Sequence, residues 1–421
     1  MKFIHAADLH IDSPLVGLYC YEGAPAERLR EATRRALENL VTLALEEHAD
    51  FVILAGDLFD GQWRDMQTGL FTARQFRRLR EAEIAVYLVR GNHDAASQVH
   101  QAISWPDNVH EFSVRRAETI RREDLGVALH GRGFAQPQVT EDPVPEYPSA
   151  VPGLFNIGVL HTNLDGSPEH DPYAPTSRAA LEARGYDYWA LGHIHKRRTI
   201  AERPYIAYCG NTQSRHVRET GAKGCLLTSV EDGQLATVEF RPTDVVRWHW
   251  AQVTLADRDG LPELYTAVRD HLERCREASD GRFAAVRLTI AGRCPAHDAL
   301  LGSGQRAEAI AEIRNQANEL EEEVWVEEIR FETSPPVDLE KLRAGGDLLG
   351  DLLRQIDGLA NNPDDLAGLG KQLVALEQSQ PGLLEQAGIR LQDPERLKTW
   401  LRQAEGLLVG QLLAGGSHET A

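Results

Sequence analysis

Short apolar runs and amphipathic stretches alternate along the first half of the chain. KFIHAA at 2–7 is an apolar strand that ends in a polar loop. Residues 25–48 carry Leu29, Ala32, Ala36, Leu40, Leu43 and Ala44 at helical spacing. FVILA at 51–55 is apolar throughout, as expected of a strand buried on both faces. A helical pattern from 66 to 82 leads into AVYLV at 85–89, and further strands are predicted at 126–130, 155–160 and 187–191. Each of these strands runs into a loop rich in Gly, Asp, His and Asn. Functional groups gathered at the carboxyl ends of buried strands are the arrangement of an α/β active site.

The pattern then changes three times. The proline density of AQPQVTEDPVPEYPSAVPG at 135–153 predicts an extended surface loop or flap. From 204 to 240, YIAYC, GCLLTSV, an EDG turn and LATVEF read as strands, the last two forming a hairpin that extends a sheet. After Arg241-Pro242 the chain alternates strand and helix in a βαβαβ unit that closes with VWVEEIRF at 324–331. Beyond SPP at 334–336, leucines recur at helical spacing between breaks at NNPDD, SQPG and QDPE, which predicts about three amphipathic helices. The expected division is therefore 1–240 as an α/β domain, 241–335 as a small α+β domain and 336–421 as a helical region.

Composition narrows the setting. The 421 residues exceed one ordinary core, and the 42% apolar and 26% charged fractions are those of a globular chain. No run approaches the roughly 18 apolar residues of a membrane span. MKFIHAADLH is broken by Asp8 and lacks a cleavage-site pattern, so it does not read as a secretory signal. Cys20, Cys209, Cys225, Cys275 and Cys294 are odd in number and scattered, which fits a reducing cytoplasm better than a disulfide framework. The net charge of −19 counts against unaided binding of duplex DNA, because phosphate neutralisation drives much of that affinity.

The chemistry lies in five motifs, in order: DLH at 8–10, GDLFD at 56–60, GNHD at 91–94, the histidine of GVLHTN and GHIH at 192–195. They supply Asp8, His10, Asp57, Asn92, His161, His193 and His195. Two divalent ions roughly 3.5 to 4 Å apart need a bridging carboxylate and several oxygen and nitrogen ligands, and this set provides them. Imidazoles mixed with carboxylate and amide oxygens suit manganese, iron or zinc better than the all-oxygen shells of magnesium and calcium. Glycines 56, 91 and 192 are expected to let the backbone turn sharply beside the ligands. His5 is assigned to packing, and His130 and His216 are candidates for the border of the cleft.

The five motifs together resemble the calcineurin-like metallophosphoesterase superfamily. The resemblance implies a four-layer sandwich of two mixed β-sheets flanked by helices. It places Asp8, His10 and His195 on one ion, Asp57 between the ions, and Asn92, His161 and His193 on the other. It gives His93 the catalytic position beside the phosphate, and Asp60 the position that orients His93. The chemistry it implies is in-line attack of an activated water on phosphorus without a covalent enzyme intermediate. The cofactors expected are two divalent ions, manganese first, with iron, zinc or magnesium as alternatives.

The metal site alone does not choose a substrate. FIHAADLHIDSPL and GNTQSRHVRETGAKGC are similar to the SbcD-like DNA-repair exonuclease family, most of all its YhaO-type branch. That likeness implies a DNA exonuclease or endonuclease, a DNA-capping role for 241–335, and docking of the C-terminal helices on an SbcC- or YhaN-type ATPase. It also implies pairing with a second copy of the chain. The segment 196–223 contains Lys196, Arg197, Arg198, Arg203, Arg215, Arg218 and Lys223 against only Glu202 and Glu219. Arg215 and Arg218 are the candidates for gripping substrate phosphates. A phosphodiesterase or phosphatase of small nucleotides would use the same site. A non-enzymatic adaptor is the third reading, and the intact ligand set argues against it.

Overall fold

The computed structural model describes residues 1–13, 25–61, 65–97, 100, 103–164, 173–320, 323–337, 339–379 and 393–416. The expected helical segment around Leu383 and Leu384 lies outside them, as do Cys20 and His170. Contacts divide the chain into two compact units. The first comprises 1–250, 275–287 and 323–327, and the second 251–274, 288–322 and 328–421.

The first unit is built on two six-stranded mixed sheets. In chain order its strands are β1 (Lys2–Ala6), β2 (Phe51–Ala55), β3 (Ala85–Val89), β4 (Val109–Glu111), β5 (Glu118–Arg122), β6 (Val127–Gly131), β7 (Phe155–His161), β8 (Tyr188–Gly192), β9 (Arg198–Glu202), β10 (Tyr205–Tyr208), β11 (Gly224–Glu231) and β12 (Gln234–Pro242). One sheet runs β12-β11-β1-β2-β3-β4, the other β5-β6-β7-β8-β10-β9. Strands β1 to β4 are parallel, as are β6, β7, β8 and β10. The expected hairpin β11–β12 pairs antiparallel and extends the first sheet beside β1.

Alternation along the strands sorts side chains between two cores. Phe3, Phe51, Ile53 and Tyr87 meet Val127, Leu129, Ile157, Val159 and Tyr188 from the second sheet. Phe3 stacks on Phe51 at 5.2 Å and meets Tyr188 edge-on at 5.2 Å. The intervening residues Ile4, Val52, Leu54, Val86 and Leu88 face helices α1 (Ala26–Glu46) and α2 (Met66–Glu81). His5 sits buried as expected, its Nε2 donating to the Leu191 carbonyl while Nδ1 accepts from the Tyr188 hydroxyl. Burial pushes its pKa down to about 3, which keeps it neutral.

The outer face of the second sheet is covered differently. The proline-rich segment, expected at the surface, inserts Val144 and Tyr147 into a core with Leu160, Trp189, Leu191, Ile206 and Tyr208. The Tyr147 hydroxyl donates to the Val159 carbonyl at 2.8 Å, which satisfies its buried polar end. Prolines supply no N–H to leave unsatisfied, so the segment packs without forming a long helix or a strand.

A three-stranded sheet has the order β13 (Val246–Leu255), β14 (Phe283–Arg293) and β15 (Val324–Ser334). Helices α3 (Asn92–Ala96) and α4 (Arg178–Glu182) belong to the first unit, and α5 to α7 are Leu261–Ala278, Ala296–Leu301 and Ser303–Asn318. In the second unit, α8 (Leu339–Arg343), α9 (Leu348–Asn361), α10 (Pro363–Ser379) and α11 (Pro394–Gly416) pack on one another. Glu405, buried among these C-terminal helices, accepts from Arg343 and Arg402.

Phe3 joins both sheets through ring contacts. We predict that Phe3→Ala lowers stability by about 3 to 5 kcal/mol, read by chemical denaturation; a loss below about 1 kcal/mol would show that the inter-sheet core does not depend on this contact.

Candidate metal centre

The ligands lie at the carboxyl ends of β1, β2, β3, β7 and β8 or just beyond them. Gly56 has φ +94°, a left-handed turn in which its missing Cβ leaves room for the His161 ring. Gly192 serves a different need from the one expected. It has no such turn; a Cβ there would stand 1.9 Å from the Ala55 carbonyl oxygen, so close approach of β2 and β8 demands glycine.

Four of the expected ligands hold left-handed backbone without being glycine: Asp8 (φ 53°), His10 (φ 43°), Asp57 (φ 53°) and His193 (φ 102°). Such conformations cost about 1 kcal/mol or more each and persist only where the surroundings over-determine them. Here the Asp8 N–H donates to the Gly56 carbonyl at 3.0 Å and the His10 N–H to the Asp57 carbonyl at 3.0 Å. The His193 N–H donates to the Asp8 carboxylate at 3.0 Å.

The side chains converge. Asp8, His10 and His195 offer ligand atoms within 4.8 Å of one another, and so do Asp8, Asp57 and His161. His161 donates from Nδ1 to the Ala55 carbonyl at 2.9 Å, so its Nε2 faces the centre, 3.3 Å from Asp57 Oδ2 and 3.0 Å from Asn92 Oδ1. His195 donates from Nδ1 to Glu219 at 2.7 Å and turns Nε2 towards His10 Nε2, 3.2 Å away. The buried Nδ1 of His10 has no hydrogen-bond partner among the described residues. Two imidazole nitrogens facing one another beside two buried carboxylates are a donor set that fits cations.

The electrostatics agree. Burial opposes a charge on both Asp57 and His161. Their mutual attraction outweighs it, holding the Asp57 carboxyl well below the carboxylate range and raising His161 to about 9. Burial pushes the Asp8 carboxyl up, against the pull of His195 and His161. Burial, with the Arg215 charge, pushes His10 well down and leaves it neutral, the form that binds metal.

His93 stands beside this set. Its ring meets His10 edge-on at 4.8 Å, its N–H donates to Asp57 Oδ1 at 2.9 Å, and its Nδ1 is 3.5 Å from Asp60. Burial lowers its pKa, and the Asp60 hydrogen bond with the charges of Asp57 and Asp60 raises it more, for a net rise. Arg215 reaches within 3.7 Å of Asp60, 3.4 Å of His195 Nδ1 and 3.4 Å of Ser13 Oγ.

A cleft of about 660 Å³ opens over these residues, lined by Asp57, Asn92, His93, His193 and His195, with Pro137–Thr140 and Tyr173 as its far wall. A family model described as calcineurin-like phosphoesterase matches residues 1–197, and one described as metallophosphoesterase YhaO, middle domain, matches 248–334. A protein of Bacillus subtilis (strain 168) named uncharacterized metallophosphoesterase YhaO is 36% identical over 378 residues, 89% of this chain and 91% of that one. The chain belongs to the calcineurin-like phosphoesterase family. As a member, it is a metal-dependent phosphoester hydrolase. It is also similar to a dimetal phosphatase from Danio rerio, LOC 393393 (13% identity, TM-score 0.34), and to the TT1561 protein of Thermus thermophilus (15% identity, TM-score 0.32). Each match covers 57% of this chain and 99% of the other.

Within this phosphoesterase site, all seven expected ligands, His93, Asp60 and Arg215 lie together. Arg218 is exposed, and among the described residues no hydrogen bond or ion pair of its side chain joins it to the cluster. Lys223 is buried and donates to the His195 carbonyl at 3.1 Å, so it supports the ligand loop and does not face solvent. His130 is held by Thr119 and Asn156 and stacked on Tyr186, which makes it a packing residue. Sequence reasoning missed Glu219, Tyr173 and the 137–140 wall. None belongs to a ligand motif, and only the fold brings them in. It also left Asp94 of GNHD without a role. That buried carboxylate accepts from the N–H groups of Leu58 (3.2 Å), Phe59 (3.0 Å) and Gly91 (3.1 Å), clamping the Asp57 loop to the Asn92 loop.

Behind the clamp, buried His100 lies 3.3 Å from Asp94 and 3.2 Å from Glu111. Burial lowers its pKa, but the two carboxylates outweigh it and raise it to about 9. A histidine that binds its proton more tightly folded than unfolded stabilises fully below its unfolded pKa of about 6.5, and that stabilisation is lost as pH rises through the folded value. The melting temperature should therefore fall between pH of about 6.5 and 9, and fall less in His100→Gln. Parallel profiles for the two proteins would contradict this assignment.

Proposed function

We propose that this phosphoesterase is a two-metal phosphodiesterase that cuts DNA as an exonuclease or endonuclease in repair, with manganese as its preferred ion and an SbcC- or YhaN-like ATPase as its partner. The observation that carries the reading is Arg215, a guanidinium poised between Asp60 and His195 at the edge of the ligand cluster. The same basic segment carries the exposed cations Lys196, Arg197, Arg198 and Arg218. Guanidinium groups beside a reaction centre bind phosphodiester oxygens and hold the backbone in register. A chain of net charge −19 with local cations next to its site suits a subunit that relies on a partner for the rest of its DNA grip.

Two bound divalent ions would supply Lewis-acid polarisation of the phosphoryl group and a water of lowered pKa. Asp8, His10 and His195 would hold one, Asn92, His161 and His193 the other, and Asp57 both. The protein's own contribution begins with the His93 ring, held by Asp60, with its pKa raised by the neighbouring carboxylates. Its proton is placed where a leaving oxygen departs. Arg215 orients the phosphate, and the 137–140 wall with Tyr173 confines it. In the C-terminal helices, Leu348 (82% exposed), Leu359 and Leu412 present apolar side chains to solvent, which supports docking of the ATPase there.

Hydrolysis of end-labelled linear DNA with manganese tests the reading. Cleavage should fall by about 100-fold or more in His93→Ala, with the bound metal retained. A cleft the size of a nucleotide favours small nucleotide esters as the second reading. Turnover of such an ester with no DNA cleavage, even after the ATPase is added, would replace the first by the second. Truncation after residue 335 should abolish co-purification with the ATPase; retained co-purification would place the docking surface elsewhere.

A further inference from the structure

The carboxylate of Glu219 is buried beside the metal centre, and its polar contacts include His195 and Arg215 of the site. Oε1 accepts from His195 Nδ1 at 2.7 Å. Oε2 accepts from Asn211 Nδ2 at 2.9 Å and from the Arg215 backbone N–H at 2.8 Å. The Arg215 guanidinium and the His216 ring lie 3.8 and 3.7 Å from Oε1. The Glu219 carbonyl accepts from Ser214 Oγ at 2.6 Å, which closes the 214–219 turn on itself. Lys223 Nζ donates to the His195 carbonyl at 3.1 Å.

We infer that Glu219 is a positioning residue that sets the tautomer of His195 and fixes Arg215 to the same anchor. A carboxylate only accepts hydrogen bonds, so the His195 proton must reside on Nδ1. The lone pair of Nε2 is then directed at the cluster of Asp8 and His10. A carboxylate hydrogen-bonded behind a ligating ring also fixes the ring's orientation towards the ion. Because the same carboxylate holds the Arg215 main chain, the ligand of one ion and the guanidinium that meets the phosphate are set from one point. No ligand motif contains Glu219.

The inference rests on the two-ion reading of the site, and the test separates them. Manganese is titrated into the purified full chain and followed by electron paramagnetic resonance. The wild type should bind two ions. Glu219→Gln presents an amide N–H₂ or a carbonyl to His195 and loses the charge. It should weaken one of the two ions by about 10- to 100-fold and leave the other unchanged. Glu219→Asp should weaken the same ion less. A general disturbance of the fold would weaken both ions together, and that result overturns the inference, as does wild-type affinity for both ions in Glu219→Gln. Should Glu219→Gln not fold, Glu219→Asp decides alone, wild-type affinity for both ions again overturning it. A wild type that binds no manganese defeats the two-ion reading and this inference with it.

Discussion

Two carboxylates, Asp8 and Asp57, are buried almost completely at the ends of neighbouring parallel strands. Removing a carboxylate from water costs several kcal/mol even after the protein relaxes, and two side by side also repel. Only concentrated positive charge makes such a pair tolerable. His161, drawn towards its charged form by Asp57 and Asp8, supplies part of that charge. Metal ions that replace that proton convert an electrostatic liability into a binding free energy. The rest of the structure serves to keep these two groups in place.

That is why left-handed backbone recurs at the ligands. The parallel strands deliver Asp8, Asp57, Asn92, His161 and His193 to one edge of the two sheets. The sheets are locked face to face by aromatic residues such as Phe3, Phe51 and Tyr188. Left-handed conformations at four ligands then aim the side chains, and backbone hydrogen bonds between adjacent loops hold that strain. Asp94 performs the same service for the loops of Asp57 and Asn92. The wall over the cleft is built from a proline-rich segment whose buried residues, Val144 and Tyr147, anchor it to the second sheet while residues 137–140 reach the site.

Much of this was legible in the chain because the ligands are written as short local motifs attached to apolar strands. DLH, GDLFD, GNHD and GHIH combine a residue type with a spacing, and that combination survives without knowledge of the fold. The alternation of strands and helices could likewise be read from periodicity. Glu219 could not be chosen, since a glutamate in a basic stretch reads as a solvated counter-charge until the fold turns it towards His195. Lys223, counted in the basic stretch 196–223, is buried, because sequence carries no sign of which cation of such a stretch points inward. Gly192 was read as a turn, and only the approach of Ala55 reveals that it is a contact. The packing of the proline-rich segment also escaped, since its buried residues Pro143, Val144 and Tyr147 show no period.

One cluster at the strand ends would hold two ions with Asp57 between them. Anomalous diffraction from crystals grown with manganese tests this most directly. The account predicts two peaks roughly 3.5 to 4 Å apart, one beside Asp8, His10 and His195, the other beside Asn92, His161 and His193, both within bonding distance of Asp57. A single peak, or two that do not share Asp57, would contradict it.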